Sequence, residues 1–541
     1  ASNNTAVGYE ALGGNTTGAS NTATGYQSLY SNTTGGANVA TGYHALESNT
    51  TGTSNAALGY QALLGNTTGG SNTAIGREAM KINTTGGENT AVGYESLISN
   101  TTGTANVAMG YKALRLNTTA SNNVAIGPTS LYDNTTGADN VAIGKSALAN
   151  NTTASYNTAV GRDALNANTT GTNNTAVGQQ ALKSNTTASR NTAVGTSTLL
   201  ANTTGTLNVG LGSYALRFNT IGNENTAVGD AALYANTTGV NNTAVGRTAL
   251  EANTSGDNNT AVGRLALGAN TTGGNNTATG FQALRLNTTG AANAAFGLYA
   301  MLYNTTGSSN TAVGESSLQA NTTGGSNTAV GRDSLETNTT GASNVAVGLN
   351  ALLRNTTASN NTAIGRNTLL NVTTGNDNTG LGNSAGENIT TGSNNTCVGK
   401  SSSTPSNSST NTFTLGNGAI NNLRCNDTSI SSLSDERDKS NIVDIPLGVD
   451  FLNTVRPVSF DWERRDGTYA GVKDFGFIAQ ELKIAADATP YANHMRLVRE
   501  DNLDKLEADP MKMFPVLVKA IQELSTQNAA LAARLTTLEE G

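Results

Sequence analysis

The sequence predicts a mainly β protein, with a trimeric parallel β-solenoid shaft followed by a small α+β domain that ends in a coiled-coil helix. Three observations support this prediction. Residues 1–400 repeat with a period of 17, the repeat is rich in Gly, Asn and Thr, and charged residues become frequent only from Ser434, after the period has stopped. A chain this poor in large apolar groups would by default be disordered, so the fold rests on the repeat.

The repeat keeps its register along the whole shaft. Its first Asn recurs every 17 residues from Asn4 to Asn395, which makes 24 copies without an insertion. A copy reads approximately N-T-A-V-G-x-x-A-L-x-x-N-T-T-G-x-x, as in residues 157–173. A flexible tract has no reason to hold such a register, whereas a solenoid must, because each coil stacks on the next. Helical repeats typically need about 34 residues or more, so a β-coil is predicted.

Each coil is expected to contain two short extended pieces. In one copy these are residues 174–177 and residues 181–182, with corners at Gly178 and at the Asn-Thr-Thr-Gly segment. The expected core of a coil is an Ala, a Val or Ile, a second Ala or Ser, and a Leu. Because this core is thin, three chains are predicted to share their larger apolar side chains along one axis. With a strand spacing of about 4.8 Å, the shaft would be roughly 115 Å long.

The Asn-Thr-Thr segments allow two interpretations. Triplets such as Asn15-Thr16-Thr17 would be glycosylation acceptors in a eukaryotic secretory pathway. The same side chains, stacked in register, could instead form hydrogen bonds along the fibre, and this structural interpretation is favoured. Val372 and Ile389 replace the second Asn of the repeat in two late copies, so that Asn is not needed in every coil.

Two further side-chain rows suggest binding functions. Rows of Thr could resemble an ice-binding array, although the bulky or charged residues Arg162, Lys183 and Tyr214 interrupt the variable positions. Tyrosines occupy one equivalent position in the first four copies and could stack on sugar rings. A structural aromatic row is favoured over a sugar site; its members are Tyr9, Tyr26, Tyr43 and Tyr60.

Composition argues against several other functions. The net charge is -7, but 19 acidic and 13 basic residues lie within the last 108 residues, so the shaft is nearly neutral. The sequence has no basic stripe that would indicate nucleic-acid binding, and it has no apolar run long enough to cross a membrane. Cys397 and Cys425 have no metal-ligand spacing and are interpreted as structural thiols, so no metal or cofactor is predicted. The sequence opens at Ala1 inside the repeat, without a signal segment, which indicates a fragment or a processed form.

The period ends after Lys400. Residues 401–433 are predicted to be a Ser-rich transition, with short strands at 412–415 and 420–423, and residues 434–541 a separate domain. The terminal helix is expected over 511–540, where Pro510 and Pro515 make its start uncertain.

A heptad pattern runs along this helix, with apolar residues at alternating spacings of 4 and 3 and Asn528 at an a position. It predicts a trimerisation surface, and packing of the helix against its own domain is the alternative. The predicted surface comprises Leu517, Ile521, Leu524, Asn528, Leu531, Leu535 and Leu538.

The quoted motifs resemble known families. The shaft repeat is similar to N-T-A-V-G-x-x-A-L repeats of phage and bacterial tail-fibre-like proteins and, less closely, to the head repeats of trimeric autotransporter adhesins. The last domain reads S-D-E-R-D-K-S-N-I from Ser434, then R-P-V-S-F-D-W, F-G-F-I-A-Q-E-L and V-K-A-I-Q-E-L. Four motifs in this order resemble the intramolecular chaperone and auto-processing domain of endosialidases, tail spikes and tail fibres.

The second resemblance implies self-cleavage between Leu433 and Ser434. In that family a Ser-Lys dyad in S-D-x-R-x-K carries out the reaction, and Ser434 and Lys439 occupy those positions. A serine hydroxyl becomes a useful nucleophile once a base removes its proton, and a lysine can be that base when it is buried. Asp435, Arg437 and Asp438 could orient the turn between them, or could be solvated charges without a catalytic role.

The expected function is a homotrimeric fibre for extracellular attachment, either a virion tail fibre or a cell-surface adhesin. Its expected partners are two further copies of the chain, with host-surface glycans or a receptor as candidates. A polysaccharide-degrading tail spike is an alternative, but the shaft lacks the paired carboxylates of glycoside hydrolysis. A bacterial extracellular filament without a phage role is another.

Overall fold

A computed structural model describes residues 2–420, 424, 434–463, 470–500 and 506–540 of the chain. The fold is mainly β: a parallel β-solenoid of 17-residue coils, then a small C-terminal domain with a long terminal helix. The predicted fold class, a mainly β protein with a parallel β-solenoid followed by a small domain with a terminal helix, is confirmed. The trimer and the coiled coil stay predictions. The chain divides into two compact units, Ala1–Ser359 and Asn360–Gly541.

The first unit contains one three-residue strand in each of 21 coils, and consecutive strands pair in parallel with a register shift of one repeat. Thus Thr158 pairs with Thr175, and Val160 with Val177. The strands, β1 to β21, are Thr5–Val7, Thr22–Thr24, Val39–Thr41, Ala56–Leu58, Thr73–Ile75, Thr90–Val92, Val107–Met109, Val124–Ile126, Val141–Ile143, Thr158–Val160, Thr175–Val177, Thr192–Val194, Val209–Leu211, Thr226–Val228, Thr243–Val245, Thr260–Val262, Thr277–Thr279, Ala294–Phe296, Thr311–Val313, Thr328–Val330 and Val345–Val347.

The prediction of a second strand in each coil is wrong. Residues 181–182 lie in a turn, where Gln180 and Leu182 have φ values of 59° and 50°. Such left-handed residues cannot extend a strand, because a strand needs a strongly negative φ. This conformation turns the chain sharply and leaves the Leu182 side chain fully buried.

The glycine after each strand forms a corner that no other residue fits. Gly161 has a φ of 131°, and a Cβ atom there would lie 2.5 Å from the carbonyl oxygen of Gly178 in the next coil. Both the backbone angle and this close approach exclude a side chain. This explains why every copy of the repeat keeps this glycine.

The core of a coil is narrower than predicted. Ala159, Ala164 and Leu165 are fully buried, as are the two asparagines Asn157 and Asn168. The expected Val or Ile is not part of this core, because side chains alternate across a strand and the central Ala points inward. Val177 is 36% exposed, and the equivalent residues of many other coils are more exposed than this.

The second unit begins with four parallel strands, β22 to β25: Thr362–Ile364, Thr379–Leu381, Thr396–Val398 and Phe413–Leu415. The last one lies within the predicted 412–415 strand and pairs Phe413 with Thr396, so the register of 17 continues beyond Lys400. Ile420 is not in a strand, and the rest of the strand predicted at 420–423 lies outside the described residues. The predicted domain boundaries stay a prediction.

The C-terminal part of this unit has a small core of its own. It is formed by Phe451, Leu482, Ala485, Ala486, Met495, Leu497, Met513 and Val516. The terminal helix begins at Phe514, after a single 3-10 turn at Pro510–Met513, rather than at 511. The elements are α1 (Val449–Leu452), β26 (Val458–Asp461), β27 (Lys473–Gly476), α2 (Ala479–Asp487), α3 (Ala492–Met495), β28 (Val498–Arg499), β29 (Glu507–Ala508) and α4 (Phe514–Glu539).

Candidate functional site

The structure brings Ser434 and Lys439 together. The Nζ atom of Lys439 donates a hydrogen bond to the Oγ atom of Ser434 at 2.6 Å and lies 3.2 Å from the carbonyl oxygen of the same serine. A hydroxyl and an amine at this distance can exchange a proton, which is what a nucleophile and its base require. Leu433, on the other side of the predicted cleavage bond, lies outside the described residues.

A short turn makes this approach possible. Residues Glu436–Asp438 form one turn of 3-10 helix, after which Lys439 returns to an extended conformation. Asp435 caps the turn, since its Oδ1 atom accepts the backbone N–H of Arg437 at 2.9 Å. The Arg437 guanidinium also makes an ion pair with this carboxylate and holds the pKa of Asp435 below its usual range.

Both members of the pair are exposed to solvent in the single chain. A lysine acts as a base only in its neutral form, which burial favours. The described residues therefore supply the nucleophile, the base and their contact, but not the burial that would activate them.

Helix α4 has two different faces. One packs on its own domain through buried Val516 and Ala520, while the Glu523 carboxylate accepts the backbone N–H of Val449 at 2.9 Å. The predicted heptad residues lie on another face and are exposed, with Ile521 at 65% and Leu531 at 59%. Packing of α4 on its own domain thus does not use the heptad pattern.

An uncharged surface runs along the first unit, and the sequence-based interpretation did not identify it. Each strand directs its first and third residues outward, and over β1 to β21 these are only Thr, Val, Ala, Ile, Leu, Met or Phe. Charged residues make up 12% of the chain, so a run this long without any is unexpected for a solvated surface. We call this surface the strand face. The alternation of inward Ala with outward Thr and Val would have identified it.

The asparagines form two buried rows along the stack of coils. The carbonyl oxygen of Gly171 accepts from Nδ2 of both Asn157 and Asn168 at 2.9 Å. Asn168 Nδ2 also donates to Asn151 Oδ1 of the preceding coil at 3.0 Å. These residues are fully buried, so the structural interpretation of the Asn-Thr-Thr segments accounts for them, and no glycan could be attached to them in the folded shaft.

The tyrosine row is a stack of rings. Tyr26 and Tyr43 have centroids 5.3 Å apart and an interplanar angle of 13°, and Tyr43 and Tyr60 are 5.2 Å apart and nearly parallel. Arg77 extends the row, with its guanidinium 5.6 Å from the Tyr60 ring centroid. Sugars stack on ring faces, which the neighbouring rings already cover within this row. The geometry favours the structural role.

Comparison with known proteins gives one match. Residues 434–491 match the family model described as chaperone of endosialidase. No match was found among curated proteins or among solved structures. With the solenoid shaft, the match fits a structural protein of tail-fibre or endosialidase type, and such a domain suggests a phage-tail or extracellular protein.

Crossing a bilayer requires a helix that is both long and strongly apolar. None of the helices in the described part of the chain combines these two properties.

Proposed function

We propose that this chain is the shaft of a fibre for extracellular attachment, a tail fibre or surface adhesin, assembled as a homotrimer by a self-cleaving C-terminal chaperone domain. The observation that carries the proposal is the exposed heptad face of α4. It offers apolar side chains in coiled-coil spacing on a face that the described residues of its own domain do not cover. The number three rests on the resemblance to trimeric fibre proteins.

The strand face supports the same assembly. The β1 to β21 surface would extend roughly 100 Å at about 4.8 Å per coil. Long uncharged surfaces of this kind usually mark contacts between proteins. Turned toward a common axis, the strand faces of three chains would cover the Val and Ile side chains that each coil leaves half exposed. The thin core of each coil is then completed by its neighbours.

Candidate partners outside the trimer are host-surface glycans or a receptor. The positions that are nearly constant in the repeat are committed to packing and to the asparagine rows. Variable outward residues such as Arg162 would therefore contact such a partner.

The assembly is tested on the Ser434→Ala variant, which is expected to stay uncut, by its mass in native buffer. We expect this mass to equal three full chains. Leu531→Lys places a charge on the heptad face, and Ala533→Lys places the same charge two residues away at an f position. Burial of a Leu contributes about 1.5–3 kcal/mol in each chain, and α4 belongs to the proposed assembly template, so the first change is expected to prevent the trimer from assembling. Ala533→Lys should stay trimeric. A monomeric Ser434→Ala chain would contradict the proposal.

The proposed cleavage uses Ser434 and Lys439. Lys439 Nζ takes the hydroxyl proton while Ser434 Oγ bonds to the carbonyl carbon of Leu433. The C–N bond of that peptide breaks, the Ser434 nitrogen receives the proton, and an ester links the two parts. Water then hydrolyses the ester, which leaves a carboxylate on Leu433 and restores the serine hydroxyl. No other reactant is needed.

Assembly would control this reaction. Ser434 and Lys439 are exposed in the single chain, so we assign their activating burial to neighbouring chains of the trimer. Cleavage would then follow correct assembly and separate the folding domain from the shaft. Without its template, the shaft would persist because of its unfolding barrier.

A further inference from the structure

We propose that Asp435 is the positioning residue of the Ser434–Lys439 pair: its carboxylate sets the turn that brings the amine to the hydroxyl. This inference rests on the proposed self-cleavage. It assigns to one of three carboxylates in the turn a role that the other two do not have.

The Asp435 carboxylate makes three contacts with one residue. Its Oδ1 atom accepts the backbone N–H of Arg437 at 2.9 Å and the side-chain Nε at 3.0 Å. Its Oδ2 atom accepts from Nη2 of Arg437 at 2.6 Å. The first contact satisfies a backbone donor that a helical turn leaves free at its start, and the other two form a bidentate ion pair.

These contacts matter because the turn itself is weak. It has three residues, and its backbone hydrogen bonds run from Asp438 to Asp435 and from Lys439 to Glu436, at 3.2 Å and 3.1 Å. One turn of 3-10 helix is not stable alone, because fixing its dihedral angles costs more than these bonds return. The Asp435 cap and ion pair supply the missing stabilisation.

The turn also determines where Lys439 points. Lys439 directly follows the turn, with φ of -123° and ψ of 144°. From this position its side chain reaches back five residues to Ser434. If the turn opens, the backbone of Lys439 moves away, and its flexible side chain samples many positions without the hydroxyl in reach.

The other two carboxylates of the turn provide the contrast. The carboxylates of Glu436 and Asp438 make no hydrogen bond or ion pair with any described residue. They bring the same charge to the same turn. An effect found for Asp435 but not for Asp438 is therefore one of geometry rather than of charge.

The test compares cleavage rates of full-length variants on denaturing gels, after native mass measurement shows that each has assembled. Asp435→Ala removes the N-cap and its ion pair, so this variant is expected to cleave about five- to tenfold more slowly than the wild type. Asp435→Asn keeps a good cap but loses the ion pair, so it should recover much of the rate and remain about two- to threefold slow. The matched control, Asp438→Asn, should cleave at the wild-type rate.

The outcomes separate this inference from the proposed function. If Asp435→Ala cleaves like the wild type while Ser434→Ala stays uncut, the positioning role is overturned and the dyad survives. Equal slowing of Asp438→Asn also overturns it, since the effect would then be one of charge. An uncut wild type overturns both. If Asp435→Ala does not assemble, a rate for Asp435→Asn below that of Asp438→Asn supports the inference, and equal rates overturn it.

Discussion

Ser434→Ala and Lys439→Ala are each expected to leave the full chain uncut, whereas the wild type should yield one product ending at Leu433 and another beginning at Ser434. The first change removes the Oγ atom that would attack, and the second removes the amine 2.6 Å from it. Either loss stops the same step, so the two effects should be equal and not additive. Denaturing gels and the terminal sequences of the products measure this result.

Lysine variants sharpen this test. Lys439→Arg keeps a positive charge near Ser434 but cannot provide a neutral base, so it is also expected to stay uncut. Lys473→Ala removes an exposed lysine from β27 and should cleave normally. A Lys439→Arg chain that cleaves at the wild-type rate would contradict a base role for this lysine.

Asn168→Asp is expected to destabilise the shaft locally by about 3–5 kcal/mol, because it leaves an uncompensated charge in a buried site. Asn168 is fully buried. Its Nδ2 atom donates to Asn151 Oδ1 and to the carbonyl oxygen of Gly171, at 3.0 Å and 2.9 Å. An aspartate has the same shape, but it would place a carboxylate oxygen, which cannot donate a hydrogen bond, opposite these two acceptor oxygens. Hydrogen exchange should become much faster in the coils around residue 168, since each coil is stabilised mainly by its neighbours.

The matched control lies in the same coil. Asn173→Asp adds the same charge at an exposed position, where φ is 58° and where Asp139 and Asp377 occur naturally in equivalent coils. Asp tolerates this left-handed conformation as Asn does. We expect unchanged exchange and melting for this variant. Equal destabilisation by both substitutions would mean that the asparagine row does not stabilise the shaft.

The period of 17 was sufficient to predict a solenoid and the strand at 174–177. The sequence could not exclude a second strand at 181–182, because Ala-Leu reads as an apolar pair in either conformation. What decides it is a left-handed backbone at Leu182, a residue that rarely adopts φ near 50° without tertiary constraint. The outward direction of Val177 was missed for a related reason: apolar character alone does not distinguish a core from a surface that faces another chain.

The candidate site was predictable only in part. Resemblance to a family motif selected Ser434 and Lys439, but a spacing of five residues does not show whether a turn joins them. The contact depends on Asp435 and Arg437, whose pairing is a matter of local geometry. For α4, the heptad spacing identified a surface, and only the structure shows that the domain packs on a different face, through Val516 and Ala520.

The stacking of coils also has a mechanical consequence. Hydrogen bonds between coils of the first unit join strands one repeat apart and therefore run along the stacking direction. Tension applied to the ends of one chain would load these interfaces one after another, as in unzipping. A coil occupies about 4.8 Å of the stack, but its 17 residues span about 58 Å when fully extended. Each coil that opens would thus release a length of chain about twelve times its own thickness, so a fibre under load could lengthen stepwise before it breaks.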